Sequence, residues 1–357
     1  MKKVFALLLA LMMIIGATAC APAKPTFEVA LITDIGTIDD KSFNQGAWEG
    51  VEAYAKASSK TYKYYQPTEQ SNDAYLAQIE LAVQNGAKVI VTPGFLFETP
   101  IFIAQDKYTD VAFILLDGSP NDGDWSTGAP TYKTGPNTVG ITYAEQESGY
   151  LAGYAAVKDG YTKLGFMGGM AVPAVVRYGY GFAQGANDAA KELGVNVDLM
   201  YHYTGGFDAT PEAQNLAASW YNAGTEVIFA CGGAVGFSVF AAAEAAGAKS
   251  IGVDVDQSGE SDTVITSAMK SLAPGVEMLL KQYYDKAFPG GQGLVLDASN
   301  NSIGLPMATS KFNTFTQADY DALFAKIAAK EITIAKDDAA ASADQLGLSN
   351  VKVTVVE

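Results

Sequence analysis

The chain has 357 residues, of which 23 are Lys or Arg and 39 are Asp or Glu, for a net charge of −16. So acidic a chain repels phosphate polymers, which argues against nucleic-acid binding. One histidine and two cysteines are too few for the usual nitrogen and sulfur shell of zinc, and the length suffices for two cores of ordinary size.

Met1-Lys2-Lys3 is a basic start, and Val4 to Ile15 is an unbroken apolar run, too short and wrongly flanked to span a membrane. Residues 1–19 therefore read as a secretory signal peptide. Ala17-Thr18-Ala19 before Cys20 resembles a bacterial lipobox, which would make Cys20 a lipidation site. Residues 20–26 then form the lipidated N-terminus and a tether. Losing Lys2 and Lys3 takes the net charge from −16 to −18. No later stretch reaches the roughly 18 uncharged apolar residues of a span.

From residue 27, short apolar runs alternate with amphipathic stretches. The runs are Phe27–Thr33, Lys88–Thr92, Val111–Leu116, Thr138–Thr142, Lys163–Met167, Val195–Tyr203, Glu226–Ala230, Ser250–Val253 and Thr263–Ser267. The helical stretches include 42–57, 73–85, 145–158, 178–193, 210–223, 236–246 and 273–287. This alternation predicts an α/β protein with parallel sheets covered on both faces. In the first helix Phe43, Ala47, Trp48, Val51, Tyr54 and Ala55 make one apolar face, and Asp39 or Asp40 caps the start. Segment 118–137 is rich in turn residues and reads as a loop that serves as a lid or hinge cover. The tail carries an Ala/Asp-rich surface stretch, Asp337–Asp344, and a strand-like Val351–Val356.

Polar or glycine residues follow the strands: Asp34, Pro93-Gly94, Asp117-Gly118, Gly168-Gly169, Gly205-Gly206, Gly232-Gly233 and Asp254. Ligands of open α/β sheets bind at such strand ends. Two series, on either side of residue 143, imply two lobes facing one cleft. Catalytic patterns are missing. His202 lies inside a strand-like run without a GxSxG elbow, so it reads as a packed or solvated residue. Asp254–Ser258 lacks the turn glycine and distal Glu of a calcium loop, no Walker A sequence occurs, and no GxGxxG opens the first helix. Cys231 reads as a small buried hydrophobe.

Several pieces together resemble the basic membrane protein family of substrate-binding lipoproteins, the purine-nucleoside-binding group that serves ABC importers. They are Asp34 with Asp39–Asn44 and Trp48-Glu49-Gly50, Gly94-Phe95, Gly165–Gly169, Gly205–Asp208, Gly232-Gly233 with Gly236, Ile251–Gln257, and Thr266–Lys270. The resemblance covers about residues 27–290. It implies a type I periplasmic-binding-protein fold, with two doubly wound parallel-sheet lobes joined by a three-segment hinge. Lobe 1 would hold 27–143 plus 269–305 and lobe 2 would hold 144–268 plus 306–357, with crossings near 143, 268 and 305.

By the same resemblance the ligand-binding set is Asp34, Phe43, Asn44, Gly94, Phe207, Gly233, Asp254 and Lys270. Asp34 would meet a base edge and Phe43 stack on the base. Asp254 would take ribose hydroxyls and Lys270 ribose oxygens. Phe207 is the expected opposing ring, with Phe229 and Phe237 as rivals. Read from the residues alone, Asp34 is also a turn residue, Phe43 helix core, Asp254 a loop cap and Lys270 a solvated charge. Thr92-Pro93-Gly94 offers only backbone and one hydroxyl where relatives place a polar side chain. The implied function is a binding protein without catalytic residue, metal or cofactor, whose partners are a purine nucleoside of inosine, guanosine or adenosine type, an ABC permease and, through the lipid, the membrane. A sugar or other furanose-type ligand is the alternative. A nucleoside hydrolase and a surface antigen are the other competing readings.

Overall fold

The computed structural model describes residues 26–357. The expected signal peptide and the Cys20 lipidation site lie outside the described residues. The chain first builds five strands, β1 (Val29–Ile32), β2 (Tyr62–Tyr65), β3 (Val89–Pro93), β4 (Ala112–Leu116) and β5 (Thr138–Tyr143). Helices α1 (Phe43–Ala57), α2 (Asn72–Gln84) and α3 (Glu98–Lys107) connect the first four. It then crosses to a second layer: α4 (Glu145–Lys158), β6 (Lys163–Gly168), α5 (Pro173–Leu193), β7 (Val197–Tyr203), α6 (Pro211–Asn222), β8 (Val227–Cys231), α7 (Val235–Ala246), β9 (Lys249–Asp254) and β10 (Val264–Lys270). Helix α8 (Leu272–Tyr284) and β11 (Gln292–Leu296) return to the first layer, and β12 (Ile303–Gly304), α9 (Gln317–Ala328) and β13 (Val351–Val355) finish in the second.

The first sheet has strand order β11-β5-β4-β3-β1-β2 and is parallel throughout. The second has order β12-β10-β9-β8-β6-β7-β13, parallel except for the β10–β12 pair. Alternate side chains serve opposite faces. Val29 and Leu31 join a core under α1 and α8, while Ala30 and Ile32 join one under α2 and α3. Likewise Leu164 and Phe166 pack toward α4 and α5, and Met167 toward α6 and α7. Burial on both faces explains why these strands read as continuous apolar runs.

Crossings follow Tyr143 and Lys270 and fall between Leu296 and Ile303. The expectations of 268 and 305 are displaced, because β10 stays laddered to β9 as far as Met269↔Asp254 and to β12 at Lys270↔Ile303. Residues 269–270 and 303–305 therefore sit with the second sheet rather than the first. Helix α5 starts at Pro173, five residues before the expected 178, with proline in a first-turn position that needs no N–H. Loop 118–137 is held by Glu98, whose carboxylate accepts from the Ser119 N–H at 2.9 Å and from Asn121 Nδ2 at 2.8 Å.

Helices α4 and α5 touch along a glycine seam. A Cβ added at Gly153 would stand 2.0 Å from the Phe182 carbonyl oxygen, and one at Gly185 would stand 2.1 Å from that of Tyr150. Gly153→Ala is therefore expected to destabilise the protein by about 1–3 kcal/mol through overpacking. Urea unfolding should show a lower midpoint at unchanged slope. A midpoint equal to that of the natural chain would mean that the helices part at no cost.

Candidate functional site

Strand carboxyl ends of both sheets meet at a cleft between the lobes. It holds a cavity of about 710 Å³, counting the space open to solvent at its mouth. Asp34, Phe43, Asn44 and Gly94 line it from the first lobe, and Phe207, Gly233, Asp254 and Lys270 from the second. All eight residues chosen from the sequence are thus brought to one place.

The stretch after β1 supplies the first wall. Asp34 Oδ1 accepts from the Gly36 N–H at 2.6 Å and from Asn44 Nδ2 at 2.9 Å. Burial pushes its carboxyl above the usual range, against the pull of those two donors. Asp40, not Asp39, seats α1: it accepts from the N–H groups of Ser42 at 2.9 Å and of Asn44 and Gln45, each at 3.0 Å. Such bonds satisfy the free N–H groups of a helix start, and a negative charge suits that end. Gly94 has φ +106°, a conformation that L side chains rarely adopt, and borders Phe43.

Asp117 and Asp254 occupy matching positions, just past the end of β4 and at the last residue of β9, each strand fourth in its sheet's winding from β2 or β7. Both have left-handed backbones, φ +52° and +67°. Aspartate tolerates that region better than most residues. Between them lies Lys270, the last residue of β10, whose side chain is 3% exposed. Its ammonium bonds Asp117 Oδ2 and stands 3.4 Å from Glu145 Oε1 and 3.5 Å from Asp254 Oδ1. Burial opposes the charge, but the three carboxylates outweigh it and hold the ammonium pKa well above its ordinary value. The ammonium also lies 4.6 Å from the Phe43 ring centroid, a cation–π contact. Behind it, Glu145 Oε2 accepts from Arg177 Nε at 2.7 Å, and Arg177 reaches Asp337 at 3.3 Å.

The aromatic rivals separate by packing. Phe229 is fully buried among Phe166, Tyr178 and Phe182. Phe237 is 37% exposed and rests edge-on against Phe240. Phe207 alone of the three lines the cavity. Gly169 leaves room for it, since a Cβ there would come within 2.4 Å of the ring. Phe43 and Phe207 stand on opposite lobes, and among the described residues neither stacks on another ring.

Two buried acceptors on the cavity wall, Asn44 Oδ1 and Asp117 Oδ1, take no hydrogen bond among the described residues. Leaving such atoms unpaired costs about 1–3 kcal/mol each. A bound molecule bearing N–H or O–H groups would relieve that cost.

The ligand-binding set chosen from the sequence left out Asp117, Phe95, Tyr178 and Cys231, which also line the cavity, and Glu145 and Arg177 behind it. Asp117 was within reach, since it follows a strand as Asp34 does. His202 takes no part: its Nδ1 pairs with the Val356 carbonyl at 2.8 Å. Among the described residues no group of three or more His, Cys, Asp or Glu side chains is placed to hold a metal ion. No described helix is long and apolar enough to cross a membrane.

The model of the PnrA-like ABC transporter substrate-binding proteins matches residues 27–338. The ABC transporter nucleoside-binding protein BmpA of Lactococcus lactis subsp. cremoris is 29% identical over 330 residues, covering 85% of this chain and 89% of its own. Basic membrane protein A of Borreliella burgdorferi is 28% identical, with 86% and 87% covered. In structure the chain is similar to an ABC transporter solute-binding protein of Aeropyrum pernix K1, at TM-score 0.74 and 22% identity over 87% of this chain and 93% of that one. One from Conexibacter woesei gives 0.69 and 26% over 87% and 99%. The two-lobed architecture is that of the type I periplasmic-binding proteins, and binding proteins of this kind are not enzymes. This chain belongs to the Bmp family, the PnrA-like substrate-binding proteins of ABC transporters.

Proposed function

We propose that the protein is an extracytoplasmic receptor, tethered by a lipid on Cys20, that closes its lobes on a purine nucleoside and delivers it unaltered to an ABC permease. The observation that carries this reading is the pairing of two rings that stack on no other ring with unspent acceptors in one cleft. A flat base gains about 1–3 kcal/mol per stacked aromatic. A ribose diol suits carboxylates, because charge-assisted hydrogen bonds are the stronger kind. In this reading Phe43 and Phe207 grip the base, Asp34 and Asn44 meet its edge, and Asp117 and Asp254 take the ribose hydroxyls beside Lys270. Gly94 and Gly233 line the cleft between them. The name of the Lactococcus relative, a nucleoside-binding protein, agrees with this choice. Closure follows because the ligand touches both lobes and so favours the shut form.

Calorimetric titration with inosine, guanosine, adenosine and ribose tests the proposal. The nucleosides should bind, ribose should bind far more weakly, and Phe43→Ala should weaken the nucleosides about 5- to 150-fold, as the stacking energy implies. A protein that bound ribose as well as inosine, with no loss in Phe43→Ala, would instead be a sugar receptor.

A further inference from the structure

Gln257, three residues past Asp254, is 1% exposed yet does not line the cavity. Three hydrogen bonds through its N–H and its side chain fix it. Its N–H donates to Ser267 Oγ at 3.0 Å, and its Oε1 accepts from the Val253 N–H at 2.9 Å. These hold the turn that carries Asp254. Gly252 leaves the space, because a Cβ there would stand 2.6 Å from Gln257 Oε1. The third bond leaves the lobe: Nε2 donates to the Lys41 carbonyl at 2.8 Å, on the first lobe just before α1. Lys41 itself has a left-handed backbone, φ +56°, although it is not glycine.

Two other contacts cross at the same point. Lys41 Nζ lies 3.8 Å from Glu260, an exposed pair worth little. Ser42 Oγ donates to Asp254 Oδ2 at 2.5 Å, but that carboxylate also faces the cavity. Of the three, only the Gln257 bond combines a buried donor, Gln257 being 1% exposed, with independence from the ligand-facing groups.

We infer that Gln257 is a positioning residue and the latch of the closed receptor, seating Asp254 through Val253 on its own lobe while tying the shut lobes together at the Lys41 carbonyl. The inference rests on the nucleoside reading for its kinetic test alone. A bond made only in the closed form stabilises that form and slows release, with little effect on the encounter that precedes closure. One buried hydrogen bond corresponds to about a tenfold change in rate.

Two variants separate the latch from a role in the turn. Gln257→Glu keeps an acceptor for the Val253 N–H but turns a carboxylate toward the Lys41 carbonyl. Gln257→Met keeps the volume and adds no charge, but removes both the donor to Lys41 and the acceptor of the Val253 N–H, so it is read beside Gln257→Glu, which keeps that acceptor. Inosine release by stopped flow should quicken about tenfold in both, with association rates within about threefold of the natural protein. Wild-type release rates in Gln257→Met would overturn the latch, even if Gln257→Glu releases faster through its charge alone. Spin-label distances between the lobes give a ligand-free readout, in which both variants should populate the closed form less. If inosine fails to bind the natural protein, the nucleoside reading falls, and the distances alone decide: equal closed populations overturn the latch and smaller ones in both variants sustain it.

Discussion

Lys270→Met is expected to cost about 3–5 kcal/mol of stability and to remove measurable nucleoside binding. The side chain fills its space with similar bulk, so the loss is one of charge. Asp117, Asp254 and Glu145 all converge on this ammonium. Arg177, the cation that shares Glu145 with it, is spent on Glu145 and Asp337. Breaking a buried ion network by removing one partner is worth about 3–5 kcal/mol, because uncompensated charge stays in the low-dielectric interior. Three carboxylates would then repel one another, and Asp117 and Asp254 would leave the positions from which they face the cavity.

A second substitution tells charge from shape. Adding Asp117→Asn to Lys270→Met removes one of the stranded carboxylates, so it should recover about 1–3 kcal/mol, the size of coupling found between contacting residues. Urea unfolding supplies the stabilities for the cycle, and titration with inosine supplies the binding. The double variant is expected to regain stability but not affinity, since neither the ammonium nor the Asp117 carboxylate is restored. Strictly additive stabilities would show that Lys270 and Asp117 are not a functional pair.

That pair also marks where the sequence stops being legible. Strands buried on both faces, such as β1 and β4, appear as apolar runs because every side chain in them meets a core. Tyr62–Tyr65 did not, since β2 is an edge strand whose middle residues face solvent. Gln292–Leu296 escaped for the same reason, as it is largely exposed at the other edge. In the site, Asp34 and Asp254 were visible as acids directly after strands. Asp117 has the same local signature, and only the winding of the two sheets makes it the counterpart of Asp254 around one lysine. Tyr178 carried no signal, because on a helix that also holds Tyr180 and Phe182 an aromatic reads as core. Glu145 lies at a helix start, where an acid needs no further explanation.

Inosine 5′-monophosphate is expected to bind at least about a thousandfold more weakly than inosine. Asp34, Asp40, Asp117 and Asp254 line the cavity against the single ammonium of Lys270, which Asp117 and Asp254 already engage. At an effective dielectric constant near 20, two like charges about 6 Å apart cost roughly 3 kcal/mol. A phosphate carries up to two charges, so the thousandfold figure, about 4 kcal/mol, needs only part of the repulsion. The start of α1 does not compensate, because its Asn44 and Gln45 N–H groups are spent on Asp40 and helix N-termini bind anions only through free N–H groups. Competition calorimetry at two salt concentrations checks the point. Discrimination that shrinks with added salt supports electrostatic exclusion. A monophosphate bound within tenfold of the nucleoside would mean that the 5′ position opens to solvent and that the acids of the cleft select the sugar hydroxyls without screening for charge.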